Sequence, residues 1–189
     1  MNVSRTRLGV EIALAVALAA VLSFIAPWQM PQGGSVSFHM LPIFVLALMR
    51  GPGVGISTGA LYGVLDFLLK PYFFHPVQVA LDYPIAFAAC GLAGVFAGRW
   101  AALHAEGRTG AAFWQAAVPG MALGAVGRYV AHVLSGLVFF SSYAVDAGQA
   151  PIVYSMVYNS FVLVSAIACI VAAFAVLPPL QRLYGGRST

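Results

Sequence analysis

The sequence predicts an all-α integral membrane protein of six transmembrane helices with both termini cytoplasmic, residues 1–189 forming one transmembrane domain. Three observations carry that expectation. Of 189 residues, 61% are hydrophobic and only 7% charged, against roughly 25% charged in soluble domains, and the mean hydropathy is +0.92. The apolar residues gather in runs near the ~20 residues that carry a helix across a ~30 Å hydrocarbon core. The basic residues between runs fall almost entirely on one side. This composition excludes a soluble enzyme and a disordered chain. The pI of 9.3 comes from nine scattered Lys and Arg that form no patch for nucleic acid.

Residues 8–27 make the first span, closed by Trp28 as an interfacial anchor. Arg5 and Arg7 before Ala17-Leu18-Ala19 imitate a cleavable signal, but the apolar run continues to Ile25, so the helix is expected to be retained. Residues 29–37, with Pro31, Gly33 and Gly34, read as a loop. Residues 40–49 and 54–69 are each short for a span and are separated by the turn Arg50-Gly51-Pro52-Gly53. They form either two spans or a re-entrant hairpin. After the break at Lys70-Pro71, residues 77–98 are a full span containing Pro84, and 99–110 are the most polar connector. Residues 113–140 cross with tilt and carry a potential kink at Pro119; 141–150 are a loop; 151–177 are the last span, stopped by Pro178-Pro179. This arrangement leaves Arg5, Arg7, Arg50, Arg99, Arg108, Arg182 and Arg187 inside, Lys70 alone outside, and Arg128 within a span.

Small residues recur every four positions at Gly55/Gly59/Gly63, Gly94/Gly98, Gly120/Gly124, Ala13/Ala17 and Ala15/Ala19, a spacing that lets membrane helices approach closely. No internal repeat is detectable, which weighs against a secondary transporter. Cys90 and Cys169 lie in apolar runs without metal-ligand spacing and read as fillers.

Polar side chains inside a bilayer are expensive and mark function. From the ~1.5 Å rise per residue, Asp66 and Asp82 lie about 4–8 Å below the outer ends of their spans, His132 and Asn159 about 12 Å, and Arg128 about 18 Å. Tyr154 is nearer the surface. Four segments thus converge in the outer half, predicting a pocket that stops partway through the membrane. Two carboxylates among Tyr62, Tyr83, Phe139, Phe140, Tyr143, Tyr154 and Tyr158 suit a flat organic cation. An ion pair of Asp82 or Asp66 with Arg128, and helix–helix hydrogen bonds from His132 and Asn159, are the structural alternatives. Tyr143 and Trp28 read as belt residues. No phosphate loop, HExxH helix or nucleophile elbow is present in the sequence, so no catalytic residue, metal ligand or cofactor is assigned. A loop at 27–37 with Gly33 and Gly34, ending in Ser35 and Ser37 at pocket level, is expected to act as a lid.

Several motifs resemble one family. Gly34-Ser35-Val36-Ser37 leads to Met40-Leu41-Pro42-Ile43, and Leu81-Asp82-Tyr83-Pro84 is followed by Phe87 and Gly91-Leu92-Ala93-Gly94. Arg128-Tyr129-x-x-His132 precedes Ser135-Gly136 and Val138-Phe139-Phe140, and Pro151-x-x-Tyr154-Ser155 precedes Asn159. In this order, over nearly the whole chain, they resemble the thiamine-specific S components of energy-coupling factor (ECF) transporters. The resemblance implies a multi-pass protein of the bacterial cell membrane that captures thiamine at the outer face. It also implies partners: a transmembrane coupling protein and two ATPase subunits that drive uptake. By the same resemblance Asp82, Tyr83, His132, Tyr154 and Asn159 contact thiamine, while Tyr62 and Phe140 stand where some members carry tryptophan. The alanines Ala13, Ala15, Ala17 and Ala19 resemble the AxxxA surface used for docking. Thiamine fits these residues chemically, its aminopyrimidine matching Asp82, Tyr154 and Asn159 and its thiazolium matching Phe140 and a neutral His132. A proton-coupled secondary transporter using Asp66, Asp82 and His132, a membrane enzyme acting on a lipid head group, and an S component for another vitamin or a thiamine precursor are the competing expectations.

Overall fold

The computed structural model describes residues 4–30 and 33–185, and of 181–185 the backbone only. The chain is almost wholly helical. Helix α1 (Arg5–Phe24) begins at Ser4, whose hydroxyl accepts from the Arg7 N–H, an N-cap. A short hairpin follows, with Trp28 opposite Val36 and Gln29 opposite Ser35. Helix α2 (Met40–Arg50) and helix α3 (Pro52–Leu69) are joined at Gly51, whose φ of 93° suits glycine. Helix α4 (Pro76–Ala105) and helix α5 (Thr109–Phe139) are long spans. A short α6 (Ser141–Asp146) then leads to α7 (Pro151–Tyr158) and α8 (Phe161–Gly185).

Among the described residues, five stretches are long and apolar enough to cross a membrane: α1, α3, α4, α5 and the run Pro151–Leu180 that joins α7 to α8. The expected span at 40–49 is a different object. Helix α2 has 11 residues, about 16 Å of helix, half a bilayer. Eight of those residues are buried, because α1, α3, α4, α5 and α8 surround it. It is the core of the bundle. The expected stop at Pro178-Pro179 is also corrected, since α8 runs through both prolines to Gly185. Proline's fixed φ is helical and each ring removes one N–H, so the cost is confined to the carbonyls one turn earlier.

The glycine spacing does its work on α4. A Cβ on Gly59 would collide with the Phe87 carbonyl, one on Gly63 with the Tyr83 carbonyl, and one on Gly55 with Gly91 and Ala47. On the other side of α4, Gly120 and Gly124 of α5 sit against the Ala93 and Cys90 carbonyls. Helix α4 is therefore clasped backbone-to-backbone between α3 and α5. Gly94 lies against the Gly51 turn, whereas Gly98 meets nothing within 4 Å.

The alanines of α1 divide into two faces. Ala15, Ala19 and Ser23 are buried where α1 packs on α2 and α3, so Ala15 and Ala19 are occupied within the chain and do not form an outward docking face. Ala13 and Ala17 are exposed. At the other end of the helix Glu11 accepts from Arg50 through both oxygens at 2.7 Å and from Arg7 at 3.1 Å, pinning α1 to the α2–α3 turn.

Candidate functional site

Pro84 cannot donate to the helical ladder, and around it α4 widens into a π-turn over Leu81–Ile85, with the Ala86 N–H reaching back to the Leu81 carbonyl. Such turns re-aim side chains and recur at functional sites. Here the turn carries Asp82 and Tyr83. The Asp82 carboxylate accepts three hydrogen bonds: from Gln78 Nε2 at 2.8 Å, Ser135 Oγ at 2.9 Å and His132 Nδ1 at 3.0 Å. A carboxylate offers about four acceptor positions, so one is left for a ligand.

The rest of the network fixes proton positions. Arg128 can only donate, and its Nε lies 3.3 Å from His132 Nε2. That nitrogen must accept, which places the His132 proton on Nδ1, facing Asp82. The same logic holds for His39, whose Nε2 meets Arg128 Nη1 and whose Nδ1 meets Ser37 Oγ. Both imidazoles are neutral in this arrangement. The Arg128 guanidinium also lies 4.1 Å from the centre of the Phe87 ring, a cation–π contact that helps offset its burial. The ion pair of Asp82 with Arg128 weighed above is not formed; His132 stands between them. Asp66 instead accepts from the Tyr62 hydroxyl at 3.0 Å.

These groups line a cavity of about 540 Å³, within the range of small-molecule sites. Asp82, Tyr83, His132, Phe140, Tyr154 and Asn159 all lie on its wall, as do Asp66 and Arg128. Arg128, the deepest of these residues by position along its span, still reaches the wall through its long side chain. Tyr143, expected in the interfacial belt, is a wall residue too. Tyr62 and Ser37 do not line the cavity and are fully buried. Tyr62 packs edge-on against Phe87 and holds Asp66, and Ser37 holds His39, so both stand behind the wall. His39, Gln78 and Phe161 were missed in the sequence, and Ser135 and Gly136, though part of the motif after His132, were not assigned to the site. Gln78 and Ser135 had a legible signal, lying four residues from Asp82 and three from His132 on the same helix faces.

Asn159 sits in the break between α7 and α8. Its Nδ2 donates to the carbonyls of Ser155 and His132, at 2.9 and 3.3 Å, leaving its oxygen as acceptor. Tyr154 and Tyr158 stack at 6.2 Å. Tyr72, Phe140 and Tyr143 close the rim, with Phe140 5.9 Å from Tyr72 and 6.2 Å from Tyr143. Burial, aided by a hydrogen bond to Tyr143, pushes the Tyr72 phenol up to about 12, so it stays a neutral donor at neutral pH.

The hairpin, in its described residues 27–30 and 33–37, covers one side. Gln29, Met30, Gly33, Gly34 and Ser35 line the cavity; Pro31 and Gln32, part of the expected lid, lie outside the described residues. The hairpin rests on α8 through Ser165, whose hydroxyl accepts from the Ser37 N–H at 3.3 Å and lies 3.4 Å from the Ser35 carbonyl. Gly34 lies so close to Phe161 that a Cβ there would approach the ring to 2.6 Å. Replacing Gly34 with valine is expected to lift the hairpin, raising the dissociation constant for ligand about tenfold while leaving the ligand-free melting temperature nearly unchanged. Calorimetric titration and thermal unfolding of the purified variant check both.

A bundle of apolar helices enclosing a polar, aromatic-rimmed cavity, with carboxylate, imidazole and amide groups turned into it, is the architecture of a multi-pass membrane protein with a binding site for a small polar molecule. The chain belongs to the family of thiamine transporter proteins (Thia_YuaJ), whose profile matches residues 9–184. It is 38% identical over 184 residues to the thiamine transporter ThiT of Bacillus subtilis, covering 92% of this chain and 93% of that one. To the ThiT of Lacticaseibacillus paracasei it is 30% identical over 180 residues, covering 92% and 88%. The solved structure of ThiT from Listeria monocytogenes superposes with a TM-score of 0.79 at 31% identity, over 91% of this chain and 96% of that one. The S component of a bacterial ECF transporter shares the fold, with a TM-score of 0.53 at 20% identity over 95% and 100% of the chains. These relatives are transporters and not enzymes, and the chain is, like them, a multi-pass bacterial membrane protein.

Proposed function

We propose that this chain is the thiamine-binding S component of an ECF-type importer, with six membrane-embedded segments and both termini cytoplasmic. It captures thiamine from outside and delivers it through a coupling protein and two ATPases. The observation that carries the reading is the Asp82 carboxylate, held by three donors with one acceptor position open, in a cavity rimmed by aromatic rings. Thiamine is a permanent cation with an exocyclic amine. The amine donates to Asp82, Asn159 offers its remaining oxygen to the pyrimidine, and Phe140 with Tyr154 flanks the thiazolium. Tyr83 and His132 shape the wall. Tyr62 and Ser37 act from behind it by fixing Asp66 and His39. Ala13 and Ala17, the exposed pair of α1, are the alanines that meet the coupling protein.

A thermal-shift screen in detergent tests the reading. Thiamine is expected to raise the melting temperature in a saturable way, more than its pyrimidine precursor or its phosphate esters do, without turnover. In proteoliposomes lacking the ATPase module, thiamine is expected to drive no proton flux. Proton movement coupled to thiamine would instead establish a secondary transporter.

The 27–37 hairpin serves as the lid. Position 28 is exposed, and both cysteines are buried, so a single spin label at Trp28→Cys reports hairpin motion alone. Saturating thiamine is expected to immobilise the label. Equal mobility with and without thiamine would show that the segment is an ordinary connector.

A further inference from the structure

Between α3 and α4 the chain runs over residues 70–75 without secondary structure, yet its backbone polar groups are met by two side chains of α4. The Tyr83 hydroxyl donates to the Lys70 carbonyl at 3.0 Å and accepts from the Tyr72 N–H at 2.9 Å. Gln78 Oε1 accepts from the Phe74 N–H at 3.0 Å, and its Nε2 donates to the Tyr72 carbonyl at 3.3 Å. The second Nε2 hydrogen goes to Asp82 at 2.8 Å. Oxygen and nitrogen of this amide are fixed unambiguously, since one end meets a donor and the other two acceptors. Gln78 is fully buried, at 1% exposure, and both its N–H groups are taken, so it has no donor left for a ligand. The segment it holds carries Tyr72 and Phe74, whose rings lie 5.9 and 5.6 Å from Phe140.

We propose that Gln78 is a positioning residue that ties the 70–75 segment, and through it the Phe140 aromatic rim, to the Asp82 carboxylate, so that this segment closes the cavity beside the hairpin, where Tyr72 meets Gly33, and sets the rate of ligand release. The proposal rests on the reading of the cavity as a thiamine site. Charge recognition by Asp82 and aromatic closure over the ring are thereby one mechanical unit. Gln78 lies on the cavity wall but both its N–H groups are taken, so loosening it frees the rim without removing a donor to the ligand. Its effect therefore falls on dissociation, where most affinity differences between related complexes reside.

Two measurements on Gln78→Met, which keeps the length and removes all three hydrogen bonds, test this. Stopped-flow thiamine kinetics are expected to show a dissociation rate raised about tenfold or more, with the association rate within about threefold. A nitroxide at Phe73→Cys, an exposed position of the segment, is expected to become more mobile in ligand-free protein on Gln78→Met and also on Asp82→Ala, but not on Gly98→Ala. A protein merely destabilised by the substitution would show a lower melting temperature without this kinetic split. Gln78→Asn, one methylene too short to span the same partners, replaces the Met variant if the latter does not fold. An unchanged dissociation rate overturns the proposal, as does a label loosened by Gln78→Met but not by Asp82→Ala. If the unsubstituted protein binds no thiamine, the reading of the cavity fails on its own, and the ligand-free label measurements alone decide the tie.

Discussion

Asp82→Asn is expected to raise the dissociation constant for thiamine by roughly 30-fold to several thousand-fold, the equivalent of about 2–5 kcal/mol for losing one partner of a desolvated charged hydrogen bond. The substitution keeps the size of the side chain but removes its charge and turns one acceptor into a donor. All three protein groups at Asp82 donate: Gln78, Ser135 and His132. An amide can accept at only one of its two ends, so its nitrogen would face an N–H or O–H. If it faces His132, that ring must move its proton to Nε2 and give up the bond from Arg128. The ligand-free melting temperature should therefore also fall, though by far less than the binding energy lost. Asp82→Glu keeps charge and acceptors and should cost less. Normal thiamine affinity in a folded Asp82→Asn protein would move the site to Asp66, the other carboxylate on the wall.

Gly59→Val is expected to abolish folding or to cost about 3 kcal/mol or more, the second large effect. A Cβ at Gly59 would occupy the space of the Phe87 carbonyl, which belongs to helix backbone and has nowhere to move. The helix it displaces is α4, which carries Asp82, Tyr83 and Gln78. Loss of stability and loss of thiamine binding should accordingly go together. Gly98→Ala is the control, because nothing lies within 4 Å of a Cβ there. Size-exclusion profiles and thermal unfolding in detergent distinguish the two variants. A Gly59→Val protein that melts like the unsubstituted one would refute the close α3–α4 approach.

Much of this architecture was legible because bilayer physics leaves few choices. Apolar runs of helical length became helices, and the Gly55/Gly59/Gly63 spacing became the α3–α4 contact. Estimates of depth along the spans, with the family resemblance, brought Asp82, Tyr83, His132, Phe140, Tyr154 and Asn159 to what proves to be one cavity wall. Depth along a helix ignores side-chain reach, however. Arg128 is long enough to regain in its side chain what its backbone position loses, and so lines the cavity. Tyr62 has suitable chemistry and depth but the wrong azimuth, turned toward Phe87 and Asp66. Short α2 was read as a span because its residues are apolar throughout, a pattern shared by lipid-facing and fully buried helices. His39 gave no signal at all. It precedes α2, and only the packing of that half-length helix in the centre of the bundle brings its ring to Arg128, 89 positions away. The hairpin was legible as a glycine-bearing loop, whereas its seat on Ser165 depends on the α8 surface.

The central claim is that thiamine occupies this cavity with its aminopyrimidine on Asp82. An experimental structure of the protein with thiamine tests it most directly. The predicted result is one thiamine per chain in the cavity, its exocyclic amine about 2.7–3.2 Å from an Asp82 carboxylate oxygen and its thiazolium between Phe140 and Tyr154. Thiamine bound elsewhere, or bound in the cavity with its pyrimidine turned away from Asp82, would contradict the account.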